Sequence, residues 1–200
     1  MAGFSMPGWP QSCRQGGSAA VSSRPWTRAA IAGLTAHVFL ELAAGVGMPG
    51  ASVVGPEPAA VTWAAATRAV WRITRRTAGP GEQALHVYNG LALTAVVAHY
   101  VAWPRKRTWL PWLTECEGLR GDVMLAYNMI LLGSGGAALI ALVRENRSAS
   151  HALGLAPLLL VPVFAHVQHH EHDRLMKIAD ERPDWWNRRL TGQLSGLPAV

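Results

Sequence analysis

The sequence predicts an all-α integral membrane protein, a bundle of four or five hydrophobic helices at about 29–48, 59–77, 82–102, 122–143 and 152–168. Three observations carry this. Half of the 200 residues are hydrophobic and only 15% are charged, against about 25% charged in ordinary soluble domains. The apolar residues are gathered into long blocks, not spread at helical or strand periods. The basic residues stand at the ends of those blocks, at Arg24/Arg28, Arg72/Arg75/Arg76, Arg105/Lys106/Arg107, Arg144/Arg147 and Arg188/Arg189. There they meet lipid headgroups and bias orientation.

The elements follow in order. Residues 1–25 are rich in Gly, Ser and Pro without a period and read as a disordered tail. They lack the form of a signal peptide, because the apolar run starts late and has no small-residue exit. The transmembrane domain then occupies 26–170. Its first helix, about 29–48, is closed by Gly45, Gly47, Pro49 and Gly50. The second, about 59–77, reads two ways. Pro56 and Pro58 announce its start and its first half is apolar, but Arg68, Arg72, Arg75 and Arg76 follow along one side. It either spans with its arginines snorkelling or lies in the interface as a basic amphipathic helix. Five crossings would divide Lys and Arg almost evenly between the two sides. Four would concentrate them on the side holding both termini, as the positive-inside rule prefers.

A turn at Thr77 precedes the third helix, about 82–102, which stops at Trp103-Pro104. The long loop 104–121 keeps Trp109, Pro111 and Trp112 and reads as a packed cap. In the fourth helix, about 122–143, Gly133, Gly135 and Gly136 permit close approach of a neighbour. The fifth, about 152–168, contains Pro157 and Pro162 and is expected to kink. A polar, helical continuation leads to an interfacial segment, 171–200, with Trp185, Trp186, Arg188 and Arg189. Most of the nine Trp stand at block edges, as in an aromatic belt.

The formal charge of +6 and pI near 10.1 raise nucleic acid as a partner. No basic groove with interleaved aromatics supports it, so nucleic-acid binding is rejected and the bilayer is the expected partner. The two cysteines, Cys13 and Cys116, have no metal-type spacing. They exclude a disulfide framework and make a thiol-based site unexpected.

Four constellations can carry chemistry. His37 and Glu41 sit at i and i+4 in the first helix, on a stripe with Gly33 and Gly45. An ionisable pair within a span is costly unless turned inward, and such a pair can pass a proton in a low-dielectric pocket. The third helix offers His86, Asn89, Gly90 and Thr94, a polar stripe expected to face His37 and Glu41. His86 and His99 lie 13 residues apart, about 140° around the helix, which is poor spacing for two stacked haems. His99, beside Tyr100 and Trp103, is assigned to the interface. His166 and His170, at i and i+4, have a spacing that chelates a divalent metal from one helix face. The carboxylates Glu115, Glu117 and Asp122 in the 104–121 loop are read as a solvated set offsetting the arginines beside them. Asn146-Arg-Ser matches a glycosylation acceptor pattern and is given no weight.

No nucleotide-binding glycine loop, nucleophile elbow or diphosphate-binding acidic motif occurs. The expectation is a small multi-pass protein of the cell membrane. It would be an enzyme that isomerises or cyclises a lipophilic, isoprenoid- or lipid-like molecule by proton transfer. Glu41 and His37 would move the proton, with His86 and Asn89 orienting substrate or acid, and no cofactor is required. One alternative is a haem- or metal-binding redox subunit, with histidines of the first, third and fifth helices as ligands and His166 and His170 as the metal-spaced pair. Another is a non-catalytic membrane partner whose polar stripes hold helices together.

Overall fold

A computed structural model describes residues 24–75, 80–107, 109–145 and 150–192. Of the tail expected at 1–25, residues 1–23 lie outside the described residues, as do residues 76–79 and the Asn146 motif; Arg24 is buried and Pro25 already begins the first helix. The chain is mostly helical. The elements are α1 (Pro25–Ala44), α2 (Ala51–Val54), α3 (Pro56–Ile73), α4 (Pro80–Ala102), α5 (Val123–Arg144), α6 (His151–Leu155) and α7 (Val161–Glu181). A 3₁₀ turn, Ala156–Leu160, joins α6 to α7. Pro157 and Pro162 stand at the two ends of that joint, so the expected kink is there. The helix then runs unbroken past residue 170.

Among the described residues, three helical stretches, Gly81–Ala102, Val123–Arg144 and His151–Glu181, are long and apolar enough to cross a membrane. α1 is not among them, although the sequence expectation began with it. Arg28, His37 and Glu41 dilute its apolar character, and the structure turns His37 and Glu41 inward, where both are buried.

Side-chain contacts give the helix directions. α3 runs back along α1: Thr35 and Thr67 share a hydrogen bond at 3.0 Å, Arg28 Nε donates to Thr74 Oγ1, and Trp63 Nε1 donates to the carbonyl of Pro49. Its 18 residues cover about 27 Å, so it returns the chain to the level where α1 began. α4 therefore runs parallel to α1. Asn89 Nδ2 donates to Thr27 Oγ1, and His99 faces His37; both pairs are 62 residues apart in the chain. α5 is antiparallel to both, with Glu145 at the start of α1 and Tyr127 at its end. The α6–α7 unit again follows α4, with His86 by His151 and His99 by Gln168.

Close approach rests on small residues. A Cβ on Gly33 would stand 2.6 Å from Ser134 Cβ, so α1 and α5 touch at that point. A Cβ on Gly90 would fall 2.0 Å from the Gly154 carbonyl, which locks α4 against α6. In the glycine cluster of α5, only Ser134 and Gly135 face neighbours; Gly133 and Gly136 meet open space.

Two carboxylates pin helix starts from a distance. Glu145, just past α5, accepts from the backbone N–H groups of Trp26 and Thr27 at 2.7 and 3.0 Å, and from the Thr27 hydroxyl. It thus satisfies donors that the first turn of α1 leaves open and lies where the helix dipole favours an anion. Glu171 of α7 does the same for α2, accepting from the N–H groups of Gly50 and Ser52.

The 104–121 stretch departs from an all-α chain. It folds into two antiparallel hairpins, β1 (Arg105–Arg107) with β2 (Pro111–Leu113), and β3 (Glu115–Cys116) with β4 (Leu119–Arg120). Leu113, Cys116 and Leu119 are fully buried against the bundle. The Asn128 carboxamide of α5 clamps the first hairpin by exchanging hydrogen bonds with Leu113 N and O, at 2.8 and 3.0 Å. The C-terminal segment docks on the end of α1: Gly47 N donates to Trp186 O and Arg189 N to Gly45 O. Trp186 and Leu190 are buried in that contact, while Trp109 and Trp185 project outward.

Candidate functional site

The described residues gather a buried polar cluster at one end of the bundle, beneath the β3–β4 hairpin. His37 and Glu41 lie in the last two turns of α1, not at its middle, since Gly45 already caps the helix on Glu41 O. His37 Nε2 is 2.9 Å from Glu41 Oε1, within the i, i+4 reach expected from sequence. The Tyr127 hydroxyl, from the second turn of α5, donates to Glu41 Oε1 at 2.6 Å and stands 3.1 Å from His37 Nε2. His99, from the last turn of α4, brings its Nε2 to 3.2 Å from His37 Nε2, with the two rings edge to face.

The hairpin closes the cluster from above. Cys116 Sγ lies 3.2 Å from the Tyr127 hydroxyl, and Glu117 Oε1 lies 4.0 Å from His99 Nε2. β3 and β4 are joined by the two residues Glu117 and Gly118, both at positive φ, 49° and 85°. A type I′ turn needs that conformation and favours Asn, Asp or Gly at its first central position. Glu117 adopts it at a cost on the order of 1–2 kcal/mol, and the result is a carboxylate delivered beside Glu41 and His99. Burial, and then the charge of Glu41, hold the Glu117 carboxyl well above the usual carboxylate range. Burial likewise pushes the Cys116 thiol up, with Glu117 adding to the effect.

The outer atoms fix roles. The Ala95 carbonyl, 2.7 Å from His99 Nδ1, can only accept, so Nδ1 carries the hydrogen and the neutral ring presents a bare Nε2 to the cluster. Gln168 also lies 3.1 Å from His99 Nδ1. Its amide satisfies that geometry when its oxygen, not its nitrogen, faces the ring. Among the described residues, Glu41 Oε2 and His37 Nδ1 are buried without a hydrogen-bond partner.

The expected partners of Glu41 require correction. His86 and Asn89 lie at the other end of the bundle. Asn89 binds Thr27 in the first turn of α1, ten residues before His37. His86 packs against Gly154 and near His151. A neighbour antiparallel to α1 would set the start of α4 against Glu41. Because α3 returns the chain first, α4 runs parallel and presents its end, so His99 takes the place foreseen for His86.

Three further groups were assigned elsewhere by sequence: His99 to the interface, Glu117 to a solvated loop, and Cys116 to no site. All three join the cluster. Glu115 does follow the solvated expectation, pairing with exposed Arg120, and Asp122 is exposed at the start of α5. His166 and His170 stay apart from the cluster, with exposed, parallel rings 6.3 Å apart on the outer face of α7.

Tyr127 was the residue sequence reasoning missed altogether. A tyrosine inside an apolar span usually buries its ring and finds one hydrogen-bond partner; here that partner is the buried acid. Compared with known protein families, curated proteins and solved structures, the chain finds no match.

Proposed function

We propose that this chain is a multi-pass protein of the cell membrane that crosses the bilayer five times. Its working part, on this reading, is the cluster of His37, Glu41, Tyr127 and His99. α1 and α3 complete the five crossings. α1 hides its ionisable pair among α4 and α5, and α3 runs the same depth with Arg68 and Arg72 reaching toward the headgroups from its end.

The chemistry best supported is acid–base transfer on a lipophilic, isoprenoid- or lipid-like molecule admitted from the bilayer. The observation that carries it is the state of Glu41. One carboxylate oxygen is held by His37 and Tyr127, while the other is buried and has no partner. A carboxyl so held can deliver or take a proton at the unpartnered oxygen. His37 returns the proton, Tyr127 fixes the carboxyl, and His99 extends the relay toward Glu117. The reaction class is isomerisation or cyclisation begun by protonation, which needs no redox partner.

The test is a comparison of extractable lipids from cells carrying the wild-type gene, no gene, and Glu41→Gln or His37→Gln. A lipid that accumulates without the gene should accumulate equally with Glu41→Gln. If both variants insert and fold as wild type and the lipid profile never changes, the cluster is interhelical polar adhesion and the enzyme reading fails.

A further inference from the structure

We propose that the cluster is a binding site for one divalent transition-metal ion, with His37, His99 and Glu41 as ligands and Cys116 and Glu117 beside them. The ligands come from two helices, α1 and α4, and the β3–β4 hairpin covers them. The proposal goes beyond the proton-transfer reading and does not depend on it, because it rests on the convergence of donor atoms alone.

The first argument is distance. Two imidazole nitrogens on one tetrahedral ion at 2.0–2.1 Å stand about 3.3 Å apart. His37 Nε2 and His99 Nε2 are 3.2 Å apart. The ligand atoms of His37, Glu41 and His99 all lie within 4.8 Å of one another, and so do those of His99, Cys116 and Glu117. These are separate sets that share only His99, and the first, which holds the unpartnered Glu41 oxygen, is the one that closes on a single ion.

The second argument is hydrogen-bond accounting. His37 Nε2 faces Glu41 Oε1, Tyr127 OH and His99 Nε2, at 2.9, 3.1 and 3.2 Å. It carries one hydrogen at most, and His99 Nε2, whose ring hydrogen is spent on Ala95 O, supplies none. One hydrogen on His37 Nε2 cannot serve Glu41 Oε1 and His99 Nε2 at once, so a buried acceptor is left short of a donor, which is unfavourable. Glu41 Oε2 adds a further buried acceptor with no donor. A cation at the centre satisfies these acceptors together. The Ala95 carbonyl on His99 Nδ1 is then the outer contact that orients a metal-bound imidazole and raises its basicity.

The third argument is donor chemistry. Two imidazoles and a carboxylate are the ligand set of three-residue zinc sites. They suit zinc, and cobalt as its spectroscopic stand-in, far better than calcium or magnesium, which take oxygen ligands. Glu41 offsets part of the divalent charge. Tyr127 and Glu117 then remain as the groups free to handle protons beside the ion.

The test uses the full-length protein purified in detergent, stripped with a chelator and titrated with zinc and with cobalt(II). One equivalent should bind per chain. The cobalt form should show the intense visible bands of tetrahedral coordination. A thiolate-to-metal charge-transfer band, lost in Cys116→Ser, would place the ion on Cys116 instead and overturn this ligand set. His99→Gln should weaken binding by 100-fold or more, beyond the 10–100-fold typical of losing an outer contact. Replacing both His166 and His170 by Ala should leave stoichiometry and spectrum unchanged.

Wild-type protein that binds neither ion overturns the proposal, whatever the variants do. So does binding that is lost in the His166/His170 variant or is indifferent to His99. Metal bound as described, with lipids indifferent to the gene, refutes only the proton-transfer reading. Lipids that change with Glu41→Gln, in a protein that takes up no metal, refute only the metal site.

Discussion

Replacing Tyr127 by Phe removes one oxygen from the centre of the cluster and leaves the ring in place. That hydroxyl donates to Glu41 Oε1 at 2.6 Å, and the acceptor is fully buried. A hydrogen bond to a charged group contributes about 1.5–3 kcal/mol net. The loss here belongs at the upper end, because Glu41 is buried and its Oε2 already lacks a partner. For a chain of this size, about 1 kcal/mol shifts the unfolding midpoint by roughly 2–4 °C. Tyr127→Phe should therefore lower the midpoint of the metal-stripped protein by about 6–12 °C, read by thermal unfolding in detergent. Glu41→Gln supplies the control. With the carboxylate gone, the hydroxyl loses its charged acceptor, and Tyr127→Phe in that background should cost about 1.5 kcal/mol less. A midpoint within a degree of wild type, or an equal loss in both backgrounds, would mean that the hydroxyl is not bound to Glu41. The chain of contacts from Tyr127 to His37 would then be refuted.

Two further substitutions probe the frame around the cluster. Gly33→Ala places a Cβ 2.6 Å from Ser134 Cβ and 3.2 Å from its Cα. It should destabilise by about 1–3 kcal/mol, and Ser134→Gly in the same chain should restore most of the loss by vacating that space; absence of rescue would refute the α1–α5 contact. Glu117→Gly relieves a non-glycine residue at φ 49° and should gain about 1 kcal/mol. The same change should weaken whatever ligand or substrate the cluster holds, and a variant gaining stability with function intact would show that the strained carboxylate has no role.

How far the site could be read from sequence depended on which relations are local. The His37–Glu41 pair was legible because i, i+4 neighbours on a helix face each other whatever surrounds them. The five helical stretches were legible because apolar length and terminal Arg, Gly and Pro mark them. The partner of the pair was not, because it turns on whether α4 runs with α1 or against it. That turns on α3, the helix whose apolar first half and arginine-bearing second half fit two placements. Once α3 lies antiparallel to α1, the 62-residue offset follows, and it sets both Asn89 on Thr27 and His99 on His37. One ambiguity of topology thus moved the expected site partner from one end of α4 to the other.

The hairpin was hidden for a different reason. Glu117-Gly118 is a two-residue turn with an unfavoured first residue, so the usual Asn-Gly or Asp-Gly signal is missing. The departure from turn preference is itself informative. Asn at that position would fold the hairpin more comfortably but could not carry a carboxyl into the cluster. Helix spacing alone sets His37 against Glu41, and helix packing adds His99 and Tyr127. A thiol and a second carboxylate need a chain that can descend from above, and β3–β4 does so while Asn128, through Leu113, holds the neighbouring β1–β2 hairpin to α5. The strained residue therefore stands where the fold departs from its helical plan, and there the hairpin adds the groups that helix geometry could not supply.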